Sequence, residues 1–502
     1  MAIGSMGTFF NNIIVISIDA LRFDCVTYQQ HKLISKSLLS KYLHTPILDK
    51  IKKNSICFQN AYSSSSYTTP AHASLFTGLY PYEHNIRPIF YSNERLTGNC
   101  KTLAEFYRKK NFSTFFFSDN AIIFKHLDLT RGFETISDRD SQLFQLLDKK
   151  RKLNNFLFLH FFDVHSPYLF SPSDCFIDNS DYYLEMEKLA KKFNIKLNDP
   201  FWNRKPFELW NRIINENDLT NRKKILLPLY LKGVSKFDKG RLALYLEKIT
   251  ALFDMSKTVI IFLSDHGEGN LSPKLSNSFG HAMHLSQDVI RIPVMIYSPK
   301  FKHQKINYLI SIKDIYSLIK SFSNKPFNAD NILNNIHKKK YVYAESWLGK
   351  TENTFTNIEK ALKENLIKKK KKDYYLYERG IFSRTLQFVV YYTPEKFIKI
   401  IDKKFNKDYL KNLMINVFYN GIWPSKPLRY FFYIASLFFP KASKKNILNF
   451  IFKMNLKRIS IYLCNKRNTK NNLRNNFLLF FKIIGENLSK EKVYQFIDLI
   501  WE

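Results

Sequence analysis

Cysteine is scarce in this chain and follows no pattern. The five cysteines (Cys25, Cys57, Cys100, Cys175 and Cys464) are odd in number and scattered, without CxxC spacing. That excludes a disulfide framework and a zinc–thiolate site, and fits a reducing compartment. Long apolar runs are missing too. No window approaches the roughly 18 apolar residues that a membrane-spanning helix needs, and the nearest, 430–440, is short and flanked by Arg429 and Lys441. Residues 1–8 lack the basic flank and apolar stretch of a signal peptide. A cytoplasmic protein is expected, with peripheral contact at the inner membrane face left open. Acidic residues form the third deficit: 43 Asp and Glu stand against 78 Lys and Arg, for a formal charge of +35. That balance has two readings, the Lys- and Asn-rich composition of an AT-rich coding sequence or attraction to anionic membrane, glycan or nucleic acid. Nucleic acid is not expected as a partner.

What is present supports an α/β protein. The 502 residues, 45% hydrophobic, suffice for one large domain and a smaller unit. Residues 13–18 form a β-branched apolar run that reads as a buried parallel strand, ending at Asp19. A carboxylate just past such a strand lies where α/β sheets place their ligands. A helix is expected over 33–53, strands near 56–62, 113–118, 156–162, 258–263 and 292–297, and helices over 102–110, 241–253 and 313–321. The strand 156–162 leads to His165, and 258–263 leads to Asp265-His266-Gly267-Glu268-Gly269. There the glycines let the backbone turn so that both side chains face one ion. Residues 170–240 read as a polar, irregular insertion that shapes a substrate pocket, with helical pieces at 182–193 and 207–215. Strands are expected at 341–345, 386–392 and 397–401, and the lysine run 368–372 reads as solvated. Between 401 and 502, 19 Lys and Arg face 6 Asp and Glu, which suits a basic helical appendage able to meet an anionic membrane. Expected domains are 12–345 (catalytic), 346–402 (small α+β) and 403–502 (basic, helical). No internal repeat is found.

The stretch from Ser66 to Gly78 organises the rest. Pro70 suits a first helical position, Thr69 a cap and Gly78 the residue after the last turn. Thr68 then sits at a helix N-terminus, where free N–H groups favour an alkoxide or oxyanion. Asp19, Asp265 and His266, with Thr68, offer oxygen and nitrogen donors suited to one divalent ion, zinc or manganese, with calcium or magnesium as alternatives. Such an ion would lower the pKa of the Thr68 hydroxyl. His165 and His281 could donate to a leaving oxygen; His284 competes with His281 for that place.

Ile16 through Asp24, Thr68-Thr69-Pro70-Ala71-His72-Ala73-Ser74-Leu75-Phe76-Thr77-Gly78, His160 through Tyr168, Ser264-Asp265-His266-Gly267-Glu268, and Gly280-His281 through Pro293 together resemble sulfatase-type members of the alkaline phosphatase superfamily. The matches keep family order over about 12–300, with a fainter echo at Glu345. The resemblance implies an α/β/α sandwich with a metal site at the carboxyl edge of the sheet. It also implies Thr68 as nucleophile, Asp19, Asp265 and His266 as metal ligands, and His165 and His281 on the transferred group. His72 stands where sulfatases carry the arginine of Cys/Ser-x-Pro-x-Arg. There are departures. Threonine cannot supply the formylglycine of sulfatases, the usual paired aspartates are Asp19-Ala20, Phe117-Ser118-Asp119-Asn120 replaces Gly-Lys-Trp-His, and no Asp-x-x-x-His element for a second metal is seen. A one-metal, threonine-nucleophile enzyme results. It resembles phosphonate and phosphodiester hydrolases and the phosphoethanolamine or phosphoglycerol transferases, which are usually membrane-anchored. Its expected substrate is a phosphorylated or sulfated small molecule, glycan or lipid. Sulfuric-ester hydrolysis without formylglycine is one alternative, and a degenerate binding protein docking on anionic membrane or glycan is another.

Overall fold

The structure, a computed structural model, describes residues 10–26, 34, 36–88, 94–175, 178–192, 219–269, 281, 285–323 and 342–349, and four strands between 374 and 463. Two compact units appear, one of residues 1–281, 286–338 and 351–371, the other of 282–285, 339–350 and 372–502.

The first unit is built on eight strands: β1 (Asn12–Ile18), β2 (Ser55–Tyr62), β3 (Ser113–Ser118), β4 (Thr135–Ser137), β5 (Asn155–Phe161), β6 (Thr258–Leu263), β7 (Val294–Tyr297) and β8 (Gln304–Ser311). Their order is β4-β3-β5-β1-β6-β7-β2-β8, and β7 alone runs against its neighbours. Continuous apolar runs such as Ile13 to Ile16 and Val259 to Leu263 place the central strands here, because a strand covered on both faces needs apolar residues at both parities. Ile13 and Val15 pack with Leu75, Tyr107 and Ile315 from helices Thr68–Thr77, Leu103–Lys109 and Ile312–Ser321. Ile14 and Ile16 pack on the other face with Leu39, Tyr230 and Tyr245. This is the expected α/β/α sandwich.

Several expected elements end differently. The helix expected over 33–53 is broken into Lys36–Tyr42 and Pro46–Lys52, since a proline disfavours helical geometry in the residue before it. Thr69 does not cap. The helix starts at Thr68 after an extended Tyr67, and Thr69 Oγ1 donates instead to the Arg87 carbonyl at 3.1 Å. Gly78 does close the helix, at φ +72°, and a Cβ there would lie 2.7 Å from the Tyr316 ring.

The described residues of 170–240 are more regular than expected. They hold helix Ser180–Lys192 and helix Leu219–Phe237, the latter continued by a π-helical turn Asp238–Leu242 and helix Ala243–Leu252. Tyr230, Leu231 and Val234 belong to the core under the sheet. The wide π turn serves two buried side chains. Asp238 accepts from the amides of Ile47 and Leu48 (2.9 and 2.8 Å), capping helix Pro46–Lys52, and Arg241 gathers three carboxylates. The expected helical piece at 207–215 lies outside the described residues.

The second unit holds a five-stranded sheet of β9 (Val342–Gly349), β10 (Tyr374–Phe382), β11 (Leu386–Tyr392), β12 (Asn416–Tyr419) and β13 (Leu456–Leu463), ordered β12-β13-β11-β10-β9. The expected boundary at 345 therefore falls inside β9. The region 403–502, expected to be helical, contributes β12 and β13 to this sheet. The expected strand at 397–401 and the lysine run 368–372 lie outside the described residues.

Candidate active site

Strand parity decides which side chains meet. Parallel pairing sets Ser17 beside His160 of β5 and Leu263 of β6. Ser17 and Asp19, like Leu263 and Asp265, are two residues apart and share a face of the sheet, the face covered by helix Thr68–Thr77. The chain then turns at Ala20 with φ +58°, a left-handed conformation disfavoured for a residue with a Cβ. It is held there by three contacts: Ala20 N donates to Asp265 Oδ1 (3.3 Å), Leu21 N donates to Ser264 Oγ (3.1 Å), and the Ala20 carbonyl accepts from Tyr230 OH (2.9 Å). Gly267 is required for close approach rather than for its dihedrals. Its amide donates to the Val289 carbonyl at 2.6 Å, and a Cβ would collide with the Asp288 carbonyl.

Thr68, Asp19, Asp265 and His266 converge. Thr68 Oγ1 donates to Asp19 Oδ2 at 3.2 Å and lies 3.2 Å from His266 Nε2. His266 Nε2 is 3.4 Å from Asp265 Oδ2 and 3.8 Å from Asp19 Oδ1. His266 Nδ1 donates to the Gly267 carbonyl at 2.9 Å, so the Nε2 lone pair faces the carboxylates. Asp19, Asp265 and His266 are fully buried, while Thr68 is partly exposed. Burial works against a charged Asp19, yet the imidazoles of His165, His160 and His266 outweigh it and hold this carboxyl well below the usual range. Burial and the nearby Asp19 push Asp265 upward. Burial also opposes a charged His266, but Asp265 and Asp19 raise its pKa overall.

Donor spacing tests whether a divalent ion fits. Four donors held at bonds of about 2.0–2.1 Å around a small ion stand roughly 3.4 Å apart, and the separations above run from 3.2 to 3.8 Å. Asp19 Oδ1 and Asp265 Oδ2 are buried without a hydrogen-bond partner, a costly state for carboxylates that a cation relieves. The residues fit the group. A third cluster, Asp140, Asp174 and Cys175, does not, because the Asp140 oxygens are already taken by Arg241, Tyr245 and Ser173.

His165 and His281 lie at the same place, with ring centroids 5.1 Å apart, and His281 stacks on His266 at 4.2 Å. His165 Nδ1 donates to the Ser166 carbonyl (2.8 Å), and His281 Nδ1 lies 3.3 Å from Glu268 Oε1. Burial and the neighbouring His266 lower the His281 pKa. His284 lies outside the described residues. His72 is brought to the cluster but not to its open side. It is fully buried, its Nδ1 donates to the Thr68 carbonyl (2.8 Å) and its Nε2 accepts from Ser17 Oγ (2.9 Å). Burial lowers its pKa strongly, so it is a neutral brace for the first helical turn. A cavity of about 190 Å³ opens beside His165, lined by Asn120, Phe162, Pro167, Phe170 and Pro172.

Sequence reasoning missed His160, Ser17 and Glu268. His160 read as one more residue of a buried strand. The signal that could have found it is its place at the carboxyl end of β5, at the parity of Asp19.

A family profile described as Sulfatase matches residues 11–322. No curated protein sequence matches the chain. Among solved structures, one from work on the metabolism of multiple glycosaminoglycans by Bacteroides thetaiotaomicron is similar at 16% identity and TM-score 0.50, covering 76% of this chain and 87% of that one. The phosphonate monoester hydrolase of Agrobacterium radiobacter is similar at 14% identity and TM-score 0.49, with the same coverage of 76% and 87%. At such identities the likeness speaks for the fold alone. The family match spans more than half of the chain and takes in every residue of the cluster just described: the chain belongs to the sulfatase family of hydrolases.

Proposed function

We propose that this chain is a metal-dependent hydrolase or transferase acting on phosphate esters, diesters or phosphonates through Thr68. One observation carries the reading: a partly exposed threonine hydroxyl lies 3.2 Å from both a strand-end carboxylate and an imidazole. Phosphorus is preferred over sulfur because the Thr68 Cβ carries a methyl group. Oxidation there would give a ketone, not the aldehyde that sulfatases hydrate. The family typically binds a divalent metal; here Asp19, Asp265 and His266 would hold it, with the Thr68 hydroxyl beside them. When bound, such an ion supplies Lewis-acid charge that favours the alkoxide and draws an anionic oxygen of the ester.

In this reading Asp19 Oδ2 takes the Thr68 proton as Oγ1 bonds to phosphorus and the ester P–O bond breaks. The leaving oxygen receives a proton from Nε2 of His165 or His281 in its imidazolium form, whose Nδ1–H is engaged by the Ser166 carbonyl or Glu268. Water, or an acceptor hydroxyl, then attacks the phospho-threonine. The same imidazole takes the proton of the attacking oxygen, and Asp19 returns its proton to Oγ1 as the P–Oγ1 bond breaks and Thr68 is released. The cavity beside His165 suits an apolar leaving group. A cytoplasmic site of action and contact of the basic region 403–502 with anionic membrane belong to the same proposal; binding to phosphatidylserine vesicles that survives Lys→Gln changes at 441, 444 and 445 would count against that contact.

The test is acid-quenched mass spectrometry after incubation with a bis-aryl phosphate or aryl phosphonate. A phosphoryl or phosphonyl mass gain on the Thr68 peptide, absent in Thr68→Ala, is expected. Turnover without any adduct, or retained by Thr68→Ala, overturns the reading. The Sulfatase profile favours a second reading, sulfuric-ester hydrolysis, and faster cleavage of an aryl sulfate than of either phosphorus ester would put it first.

A further inference from the structure

His160 is a fully buried imidazole that the chemistry above leaves unused. It ends β5, paired in register with Ser17 of β1, two residues before Asp19. Its Nε2 approaches Asp19 Oδ2 to 3.4 Å, yet lacks the alignment of a hydrogen bond and has no hydrogen-bond partner. Two carboxylate oxygens share that condition at the same place, Asp19 Oδ1 and Asp265 Oδ2. His160 also groups with His72 and Asp265, their ligand atoms within 4.8 Å of one another. Three fully buried polar atoms without a hydrogen bond, gathered on three neighbouring residues, are costly unless something binds them.

We propose that His160 Nε2 is a further ligand of the divalent ion that Asp19, Asp265 and His266 would hold beside Thr68, giving two imidazoles and two carboxylates together with the threonine hydroxyl. Tautomer chemistry permits it. Ser118 Oγ lies 3.0 Å from His160 Nδ1 and also accepts from the Asn120 amide at 3.2 Å. A hydroxyl oxygen has two lone pairs, so it can accept from both; Nδ1 then carries the proton and the Nε2 lone pair is free for the ion. His72 is not equivalent, since both of its nitrogens are already engaged by Ser17 and Thr68. The position after Asp19 is Ala20, which offers no donor, and His160 supplies one from the neighbouring strand. A second imidazole moves the preference of the site toward zinc and away from calcium and magnesium. The inference rests on the metal site and not on which ester is cleaved.

Zinc-edge X-ray absorption on the full-length, zinc-loaded protein counts imidazoles without any variant. Two are expected. Stoichiometric zinc with a single imidazole overturns the role of His160 and leaves the metal site standing, whereas failure to bind any divalent ion overturns both. His160→Gln should bind zinc at least about tenfold more weakly, by chelator competition, and show one imidazole. His72→Gln should retain two. Equal counts in wild type and His160→Gln overturn the proposal. The Thr68 adduct is measured separately, so failure of the phosphoester reading is told apart from failure of this one.

Discussion

Two buried ionic clusters occupy the catalytic unit, and they differ in how far their atoms are satisfied. Around Arg241, every charged atom has a partner. The guanidinium reaches Asp119, Asp140 and Asp163 at 2.6 to 3.1 Å; the two oxygens it leaves, Asp140 Oδ2 and Asp163 Oδ1, accept from Ser173 and Ser171, and the Phe162 amide and Tyr245 add to oxygens it shares. Around Asp19 and Asp265 three buried polar atoms have no hydrogen bond, and the side chains nearest the carboxylates are histidines rather than an arginine or lysine. The first arrangement is complete within the chain and ties helix Ala243–Leu252 and its preceding turn to the strand ends. The second is complete only with a cation. Burial is the same in both, so burial alone does not mark a functional site; unmet bonding capacity does.

The largest effect that separates the clusters is on turnover. Thr68→Ala should cut kcat by about 10³-fold or more while leaving the thermal midpoint of the chelated protein unchanged, because the lost hydroxyl makes contacts only within the unfilled cluster. A steep fall in stability would show that Thr68 holds the fold together. Arg241→Ala should do the reverse. It leaves three buried carboxylates uncompensated and should cost about 3–5 kcal/mol of stability in urea unfolding; a loss under 1 kcal/mol would mean that water reaches the cluster. Asp265→Asn keeps Oδ1 for the Ala20 and His266 amides and removes the charge that faces Asp19. In chelated protein it should be neutral or stabilising by about 1 kcal/mol, while abolishing the rise in thermal midpoint that wild type gains from added zinc. Destabilisation matching that of Arg241→Ala would erase the distinction between the two clusters.

The same contrast explains what could be read from the sequence. Strands β1, β3 and β6 stood out because doubly covered strands are apolar at both parities, and the acids that follow them announced the ligand edge. Asp19, Thr68, Asp265, His266, His165 and His281 were legible because each follows a strand, opens a helix or keeps family order. His160 was not, since a histidine among Phe158, Leu159 and Phe161 looks like core until the register with Ser17 is known. The Arg241 cluster was equally hidden, as Asp119, Asp140, Asp163 and Arg241 come from four separate elements. Helix Leu219–Phe237 escaped because Pro228 and its lysines break the apolar stripe; it forms because tertiary burial of Tyr230, Leu231 and Val234 overrides propensity. Strands β12 and β13 were masked by the lysines around them.

The smallest effect is on pH dependence, and it distinguishes a ligand histidine from a packing one. His84 is buried beside helix Thr68–Thr77, its Nδ1 accepting from the Ile86 amide and its Nε2 meeting Ser74 Oγ, both at 3.0 Å. Protonation of Nδ1 would break the Ile86 bond. Burial, with the nearby Arg87, pulls its pKa from an ordinary 6.5 to about 3. The folded value lies below the unfolded one, so this stabilisation is fully present above about pH 6.5 and is lost as pH falls toward about 3, at no more than about 1.4 kcal/mol per pH unit. His84→Gln should therefore lower stability at pH 7 yet flatten its decline between about pH 6.5 and 4, read from urea midpoints of chelated protein. An unflattened slope would mean that His84 stays uncharged or accessible in both states, and that the acid sensitivity of helix Thr68–Thr77 arises within the Asp19–Asp265 cluster itself.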